Sequence, residues 1–213
     1  MFDVFKAMLD GVPWTIAVTS LSFTIGCLLG FPICWARMSK FRIISFTTAS
    51  LVLAIRSIPP IVWLFFIFFG VGGGFLNLSP FAAAITGLGI ITAAQMSEVY
   101  RGALSAVSVG QYEAAHVLNL NARQRFVDII LPQMLRIVVP SAATYAISLL
   151  KDSAVASTIG VTDISAVAYQ VTQQTFKGIE VYTTAALLYL LLSVPIALFS
   201  RWLGATLNTR ISR

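Results

Sequence analysis

Long apolar stretches separated by short polar segments dominate this chain. Of its 213 residues, 58% are hydrophobic and only 10% are charged, whereas soluble domains carry roughly 25% charged residues. A helix needs about 20 mostly apolar residues to cross about 30 Å of hydrocarbon, and several stretches meet that requirement. The sequence therefore predicts an all-α membrane protein that forms a single domain over residues 1–213.

Five transmembrane helices are predicted, at about residues 12–36, 43–70, 81–100, 137–150 and 181–203. The second contains the run Ser57-Ile58-Pro59-Pro60, where we expect a kink because proline removes a backbone donor and disfavours helix in the residue before it. A glycine-rich turn at residues 71–74 precedes the third span. An odd number of spans places the two termini on opposite sides of the membrane.

Lysine and arginine are distributed unequally between the two sides, which predicts the orientation because short loops rich in these residues stay in the cytoplasm. One side has only Lys6, Lys151 and Lys177. The other collects Arg37, Lys40, Arg42, Arg101, Arg123, Arg125, Arg136, Arg201, Arg210 and Arg213. The N-terminus is therefore expected outside, the C-terminus inside, and residues 102–136 in a cytoplasmic loop. Because the cations flank apolar spans, the net charge of +6 fits membrane topology and not a nucleic-acid partner.

Neither a metal site nor a nucleotide site is predicted in this chain. Cys27 and Cys34 share one apolar stretch about 10 Å apart along a helix, so they are expected to be free thiols. Together with the lone His116 they cannot supply a metal cluster. The chain has no G-x-x-x-x-G-K-[ST] sequence, so it has no phosphate-binding loop and no catalytic residue is assigned.

The loop at residues 102–136 is long enough to suggest a protein partner. Residues 111–118 are good helix formers, and Asn119 can take the left-handed conformation that closes a helix. A second helix is predicted from about Ala122, and Pro132 is expected to end it. Its apolar face has Phe126, Ile129 and Ile130, and its polar face has Arg123, Arg125 and Asp128. A short helix, a turn and a second helix suit insertion into a groove on another protein.

This loop resembles the EAA loop of bacterial ABC importer permeases, in which EAA is followed by three residues, G, nine residues, I, one residue, L and P. Asn119 occupies the glycine place, which is the one departure from the pattern. The matching residues, to which the resemblance assigns ATPase coupling, are Glu113, Ala114, Ala115, Asn119, Ile129, Leu131 and Pro132.

Flanking segments are similar to the polar amino-acid permeases of the histidine, glutamine, arginine and opine group. Residues 97–102 resemble the AE-x-x-RG stretch of that group, and residues 131–133, 150–153 and 159–161 are also similar, whereas residues 56–59 match its RGTP segment in part. The resemblance covers roughly residues 10–205.

The resemblance implies the type I ABC importer permease fold in a bacterial inner membrane. It also implies a dimer of ATPases that binds ATP and Mg²⁺, a second permease subunit, either identical or paralogous, and an extracytoplasmic solute-binding protein. The expected cargo is a polar or charged L-amino acid, with an opine, cystine or a compatible solute as alternatives. An ion-coupled secondary transporter is less favoured because no internal repeat is evident. A channel is less favoured because no filter sequence is present.

Ionisable residues inside a membrane are costly, which makes them candidates for the substrate pathway. Gln95 and Glu98 share one helix face and could bind an amino group, although an ion pair between Glu98 and Arg101 explains the acid equally well. Arg56 either contacts a substrate carboxylate or extends to the lipid headgroups. Lys151 and Asp152 follow the fourth span, where we expect the chain to unwind before residue 159 and to line a gate.

Overall fold

The computed structural model describes the backbone of residues 2–211 and the side chains of residues 4–73 and 77–206. This part is helical almost throughout and contains no strand, which confirms the all-α fold class. The helices are α1 (Phe2–Met8), α2 (Val12–Arg37), α3 (Arg42–Ser57), α4 (Pro60–Phe65), α5 (Pro80–Ser105), α6 (Val109–Val117), α7 (Ala122–Gln124), α8 (Leu131–Asp152), α9 (Ile164–Thr175) and α10 (Gly178–Ile211). Arg210 and Arg213, two of the cations on the side predicted to be cytoplasmic, have side chains outside the described part.

Four helical stretches of the described chain are long and apolar enough to cross a membrane: Val4–Arg37, Pro80–Ser105, Ala122–Ile159 and Gly178–Thr206. A fifth crossing results if α3 and the segment Pro60–Gly73 are counted as one broken span. The axes of these two helices differ in direction by 101° at the break between them. Ile58 at this break is extended, with φ −94° and ψ 131°. The kink predicted at the two prolines is therefore confirmed, and it is a sharp one.

The glycine-rich segment does not form the predicted turn. A wide π-helix runs from Phe66 to Leu76, and the chain turns only at Asn77, which is left-handed with φ 45°. Continued helix keeps backbone groups hydrogen-bonded within the chain, as an apolar surrounding demands. Ser79 then caps α5 by accepting a hydrogen bond from the Ala82 backbone N–H at 3.2 Å.

The prediction that Pro132 ends a helix is wrong. The helix begins at Ala122, as predicted, but then runs through a π-helical segment, Arg125–Ile130, into α8 without a break. Pro132 lies in the first turn of α8, directly after the π segment. Because the wider π turn shifts the carbonyls that the proline ring would otherwise meet, the helix continues. The fourth crossing is consequently longer than the predicted residues 137–150.

Helices α2 and α5 pack in parallel along a seam of small residues, and this contact organises the bundle. A Cβ on Gly26 would overlap the Thr92 side chain and come within 3.0 Å of the Ala93 backbone N. One turn later, a Cβ on Gly30 would come within 2.9 Å of Met96 Cβ. The glycines thus allow a helix approach that other residues forbid.

The N-terminal end of α2 packs on the segment between α8 and α10. Thr15 Oγ1 accepts a hydrogen bond from the Ile164 backbone N–H at 3.1 Å. Asp163 is fully buried and caps α9, accepting from the Ala166 N–H at 2.9 Å, and burial raises its pKa to about 6.

Helix α6 follows the C-terminal end of α5, so α6 and α9 lie at opposite ends of the bundle.

We predict that Gly26→Ala lowers the free energy of unfolding by about 1–3 kcal/mol, because the added methyl group overpacks the seam against Thr92. Thermal unfolding of the detergent-purified protein measures the effect. Gly102→Ala is the matched control in α5, since no atom lies within 4 Å of the Cβ position at Gly102. Equal unfolding midpoints for the two variants would contradict the role assigned to the seam.

Candidate functional site

Helix α6 ends in a hydrogen-bonded left-handed turn. Asn119 has φ 52°, which confirms the conformation predicted for it. Its N–H donates to the His116 carbonyl at 3.0 Å, and the Leu120 N–H donates to the Ala115 carbonyl at 3.1 Å. This pair of bonds is the Schellman arrangement, in which glycine is the usual left-handed residue and asparagine the common substitute. Asparagine therefore preserves the turn that the glycine of the EAA pattern would make.

A capping box rigidifies the other side of the turn. Asn121 Oδ1 accepts from the Gln124 N–H at 2.9 Å, and Gln124 Oε1 accepts from the Asn121 N–H at 3.1 Å. Two donors that the helix start would leave without partners are thereby satisfied. With defined hydrogen bonds on both sides, the turn holds α6 at a fixed angle to the helix that follows it.

Most of α6 is exposed, and its exposed surface is partly apolar. Glu113, Ala114 and His116 are exposed, and Val117 and Leu118 are 80% and 67% exposed. Ala115, by contrast, is fully buried. The exposed face combines an acid with large apolar side chains, a composition suited to contact with another protein.

A side-chain bond ties α6 to α8. Gln133 Nε2 donates to Gln111 Oε1 at 3.2 Å and to the Ile129 carbonyl at 2.9 Å. The three remaining residues of the motif, Ile129, Leu131 and Pro132, are half-buried and lie in the helix that follows the α6 turn, not in α6 itself. The motif therefore divides into an outward part, Glu113 and Ala114, and a supporting part.

Glu98 lies between two arginines. Its Oε1 accepts from Arg37 Nε at 3.0 Å, and its Oε2 accepts from Arg101 at 2.8 Å. The Glu98 side chain is 15% exposed, against 19% for Arg37 and 39% for Arg101. The structure thus forms the ion pair with Arg101 and adds Arg37, so both oxygens of this acid already have cationic partners.

Arg56 and Gln95 form a second polar pair, 2.9 Å apart from Arg56 Nε to Gln95 Oε1. Within the described side chains, the two terminal nitrogens of Arg56 have no hydrogen-bond partner. Arg56 and Glu98 both line a cavity of 340 Å³ between α3 and α5. An arginine oriented through Nε leaves a planar pair of donors, which matches the two oxygens of a carboxylate.

Sequence reasoning missed three contributors to this region. Thr92 lies three residues before Gln95 on the same face of α5, and its Oγ1 is 3.3 Å from the Tyr145 hydroxyl of α8. The three-residue spacing from Glu98 back to Gln95 leads, three residues earlier, to Thr92, so this residue could have been found from the sequence. No sequence signal identified Arg37 or Tyr145, since their roles depend on helices brought together by folding.

Lys151 and Asp152 do not join these pairs. They end α8, and the chain then tightens into a 3₁₀-helix, Ser153–Ile159, instead of unwinding as predicted. Lys151 is exposed and Asp152 is half-buried. Among the described side chains, neither forms a hydrogen bond with Arg56, Gln95 or Glu98.

The described residues contain no group of three or more His, Cys, Asp or Glu side chains that could hold a metal ion. Cys27 and Cys34 are both free thiols, the first half-buried and the second buried.

Comparison with known proteins gives concordant matches over nearly the whole chain. Residues 22–213 match the family model described as binding-protein-dependent transport system inner membrane component. The nopaline transport system permease protein NocM of Agrobacterium fabrum is 29% identical, over 99% of this chain and 93% of the relative. The probable glutamine ABC transporter permease protein GlnM of Bacillus subtilis is 30% identical, over 98% of this chain and 96% of the relative. A solved amino acid ABC transporter chain superposes with a TM-score of 0.88 at 28% identity, covering 97% of this chain and 96% of its own.

We predict that Arg37 and Glu98 are energetically coupled by about 1–2 kcal/mol in a double-mutant cycle. In the wild-type background, Glu98→Gln leaves the two positive charges of Arg37 and Arg101 close together without their shared acid. In an Arg37→Gln background one of these charges is already gone, so Glu98→Gln should lower the free energy of unfolding by less. The free energy of unfolding in detergent measures both effects. Glu98→Gln combined with Lys177→Gln, a cation at the opposite end of the bundle, is the additive control. If the effects of Arg37→Gln and Glu98→Gln on the free energy of unfolding simply add, the ion pair between Arg37 and Glu98 is contradicted.

Proposed function

Since this chain belongs to the family of binding-protein-dependent transport system inner membrane components, we propose that it forms the translocation pathway of an ABC importer for polar or charged L-amino acids. It is a multi-pass membrane transport subunit and not an enzyme. The observation that carries the proposal is α6, a short helix with an exposed acid and apolar face, fixed at one end of the bundle by hydrogen-bonded turns.

In this proposal the exposed face of α6 docks on a separate ATPase dimer, which binds ATP and Mg²⁺. Glu113 contributes the charged contact and Val117 and Leu118 the apolar ones. The bond between Gln111 and Gln133 then passes any displacement of α6 to α8. Because α8 crosses the membrane, movement of α6 would tilt a wall of the pathway.

The proposed topology has the N-terminus outside and α6 in the cytoplasm. The parallel packing of α2 and α5 supports it, since both helices end on the side where α6 lies. Arg37, Lys40 and Arg42 cluster at the end of α2, and Arg101 lies near the end of α5. Cations at these ends fit the cytoplasmic face of a membrane.

For the substrate, we place the carboxylate of an amino acid on the two open nitrogens of Arg56, beside the Gln95 amide. The 340 Å³ cavity that Arg56 lines is large enough for a small ligand. Glu98 holds Arg37 near this cavity, and its two carboxylate oxygens already pair with Arg37 and Arg101, so we assign the substrate carboxylate to Arg56 and no separate charge to the amino group. The names of the relatives, for glutamine and for nopaline, agree with a cargo that carries an amino-acid carboxylate.

An opine is the second candidate, because nopaline is the cargo named for one relative and opines keep the carboxylates that Arg56 would bind. A solute-binding protein outside the membrane would deliver either cargo. A second permease subunit, which the resemblance to importer permeases implies, is also proposed. Copurification distinguishes an identical second subunit from a paralogous one.

We predict that Glu113→Lys releases the ATPase from the detergent-purified complex, because it puts a cation where the docking face has an acid. Subunit ratios on size-exclusion chromatography measure the loss. Asp10→Lys is the matched control, since Asp10 is an exposed acid at the opposite end of the bundle. Full retention of ATPase by the Glu113 variant would refute the docking assignment.

We predict that Arg56→Gln lowers the apparent affinity for transported substrate about 10- to 100-fold while the ATPase stays bound, because a charge-assisted hydrogen bond contributes roughly 1.5–3 kcal/mol. Uptake of labelled glutamine, arginine, histidine and nopaline into proteoliposomes that contain the binding protein identifies the cargo class. Arg201→Gln, at an exposed cation of α10, is the control. Unchanged uptake of every transported compound by the Arg56 variant would exclude Arg56 from the substrate site.

A further inference from the structure

A second cavity, of 680 Å³, lies between the C-terminal end of α2, the end of α5 and the helix that follows the α6 turn. It shares no lining residue with the cavity at Arg56. Its lining includes Trp35, Tyr100, Phe126 and Met134, and Trp35 is 76% exposed. An open aromatic wall of this kind has affinity for apolar chains.

Two cations from different elements stand on the rim of this cavity. Lys40 belongs to the turn between α2 and α3, and Arg125 follows α7. No acidic residue lines the cavity, and within the described side chains neither cation forms a salt bridge. The chain thus presents an apolar wall with an uncompensated positive rim.

This arrangement lies at the depth of the membrane interface. Trp35 and Tyr100 line the cavity together with these cations, and Trp and Tyr residues next to cations mark the level of lipid headgroups. The topology in the proposed function puts this end at the cytoplasmic leaflet, so the leaflet assignment rests on that proposal. The cytoplasmic leaflet is rich in anionic lipids, which basic pockets between membrane helices bind.

We propose that this cavity binds an anionic phospholipid, with its phosphate between Lys40 and Arg125 and an acyl chain along Trp35 and Phe126. A soluble anion would use the two cations but would leave the aromatic wall exposed to water. A zwitterionic lipid would fit the wall but gain less from a rim with two positive charges and no acid. An anionic phospholipid complements both parts of the cavity.

The proposed lipid would join two elements that are otherwise separate in the chain. Arg125 follows directly on the capping box that fixes the α6 turn, and Lys40 follows α2. A phosphate held by both cations would therefore hold the base of the α6 loop against the end of α2. The lipid would act at the loop that the proposed function couples to the ATPase.

The test is lipid retention by the detergent-purified permease–ATPase complex, measured by native mass spectrometry after titration with phosphatidylglycerol or phosphatidylcholine of the same acyl chains. We expect at least a tenfold preference for phosphatidylglycerol, since each cation near a surface contributes appreciably to anionic lipid binding. Lys40→Gln with Arg125→Gln should abolish the preference, and Lys40→Arg with Arg125→Lys should keep it. Arg201→Gln controls for the loss of a cation elsewhere.

Three outcomes would overturn the proposal. Equal retention of the two lipids by wild type would mean no selective site. An unchanged preference in the Lys40→Gln, Arg125→Gln variant would mean that the lipid binds elsewhere. Loss of the ATPase from that variant while it keeps the preference for phosphatidylglycerol would mean that the cations hold the ATPase and not the lipid.

A second readout does not depend on the folding of the neutralised variant. In a Trp14→Phe, Trp63→Phe, Trp202→Phe background, Trp35 fluorescence should be quenched more by brominated phosphatidylglycerol than by brominated phosphatidylcholine at equal mole fraction. Equal quenching by the two brominated lipids would also overturn the site.

Neither the lipid-retention readout nor the quenching readout uses a transported substrate or a defined leaflet. External labelling of Tyr112→Cys would therefore overturn the proposed topology and coupling role while leaving the lipid result interpretable.

Discussion

The parallel contact between α2 and α5 determines where every other feature of this protein lies. Gly26 and Gly30 let α2 approach α5 so closely that the two helices keep one register along their length. That register brings Arg37, at the end of α2, to Glu98 of α5. It also leaves the loop that carries α6 and the segment that carries α9 at opposite ends of the bundle. Small residues are effective here because helices in lipid associate through close packing and not through water exclusion.

A single face of α5 connects this seam to the other helices. Thr92, Gln95 and Glu98 follow one another at steps of three residues, and each meets a side chain from a different helix. Their partners are Tyr145 of α8, Arg56 of α3 and Arg37 of α2. Polar groups in an apolar surrounding need such partners, so this stripe defines how far each helix can move without losing a hydrogen bond. Of the three contacts, the one to Arg56 is the most exposed, and it is also the one with donors left open.

Features that depend on neighbouring residues along the chain were predicted correctly from the sequence in most cases. Contacts between residues that are distant in the sequence were not predicted. The left-handed Asn119, the start of a helix at Ala122 and the kink before Pro60 all follow from local backbone chemistry, and all are present. Pro132 and the glycines at residues 72–74 are local signals that were overridden, because π-helical segments keep the backbone hydrogen-bonded across them. Arg37 was interpreted as a marker of topology, since nothing in its own neighbourhood indicates that Glu98 packs against it.

The two breaks in the helical framework differ in how many hydrogen bonds hold them. The α6 turn is closed by two Schellman bonds and a capping box, and the Gln111–Gln133 bond joins α6 to α8. At the 101° bend between α3 and α4, Ile58 is extended and Pro59 has no N–H to donate. The Trp63 indole, donating to the Ile55 carbonyl at 3.1 Å, is the side-chain hydrogen bond that spans this bend among the described residues. Because Arg56 lies within one turn of this joint, a change in the bend angle would move a residue that lines the cavity between α3 and α5.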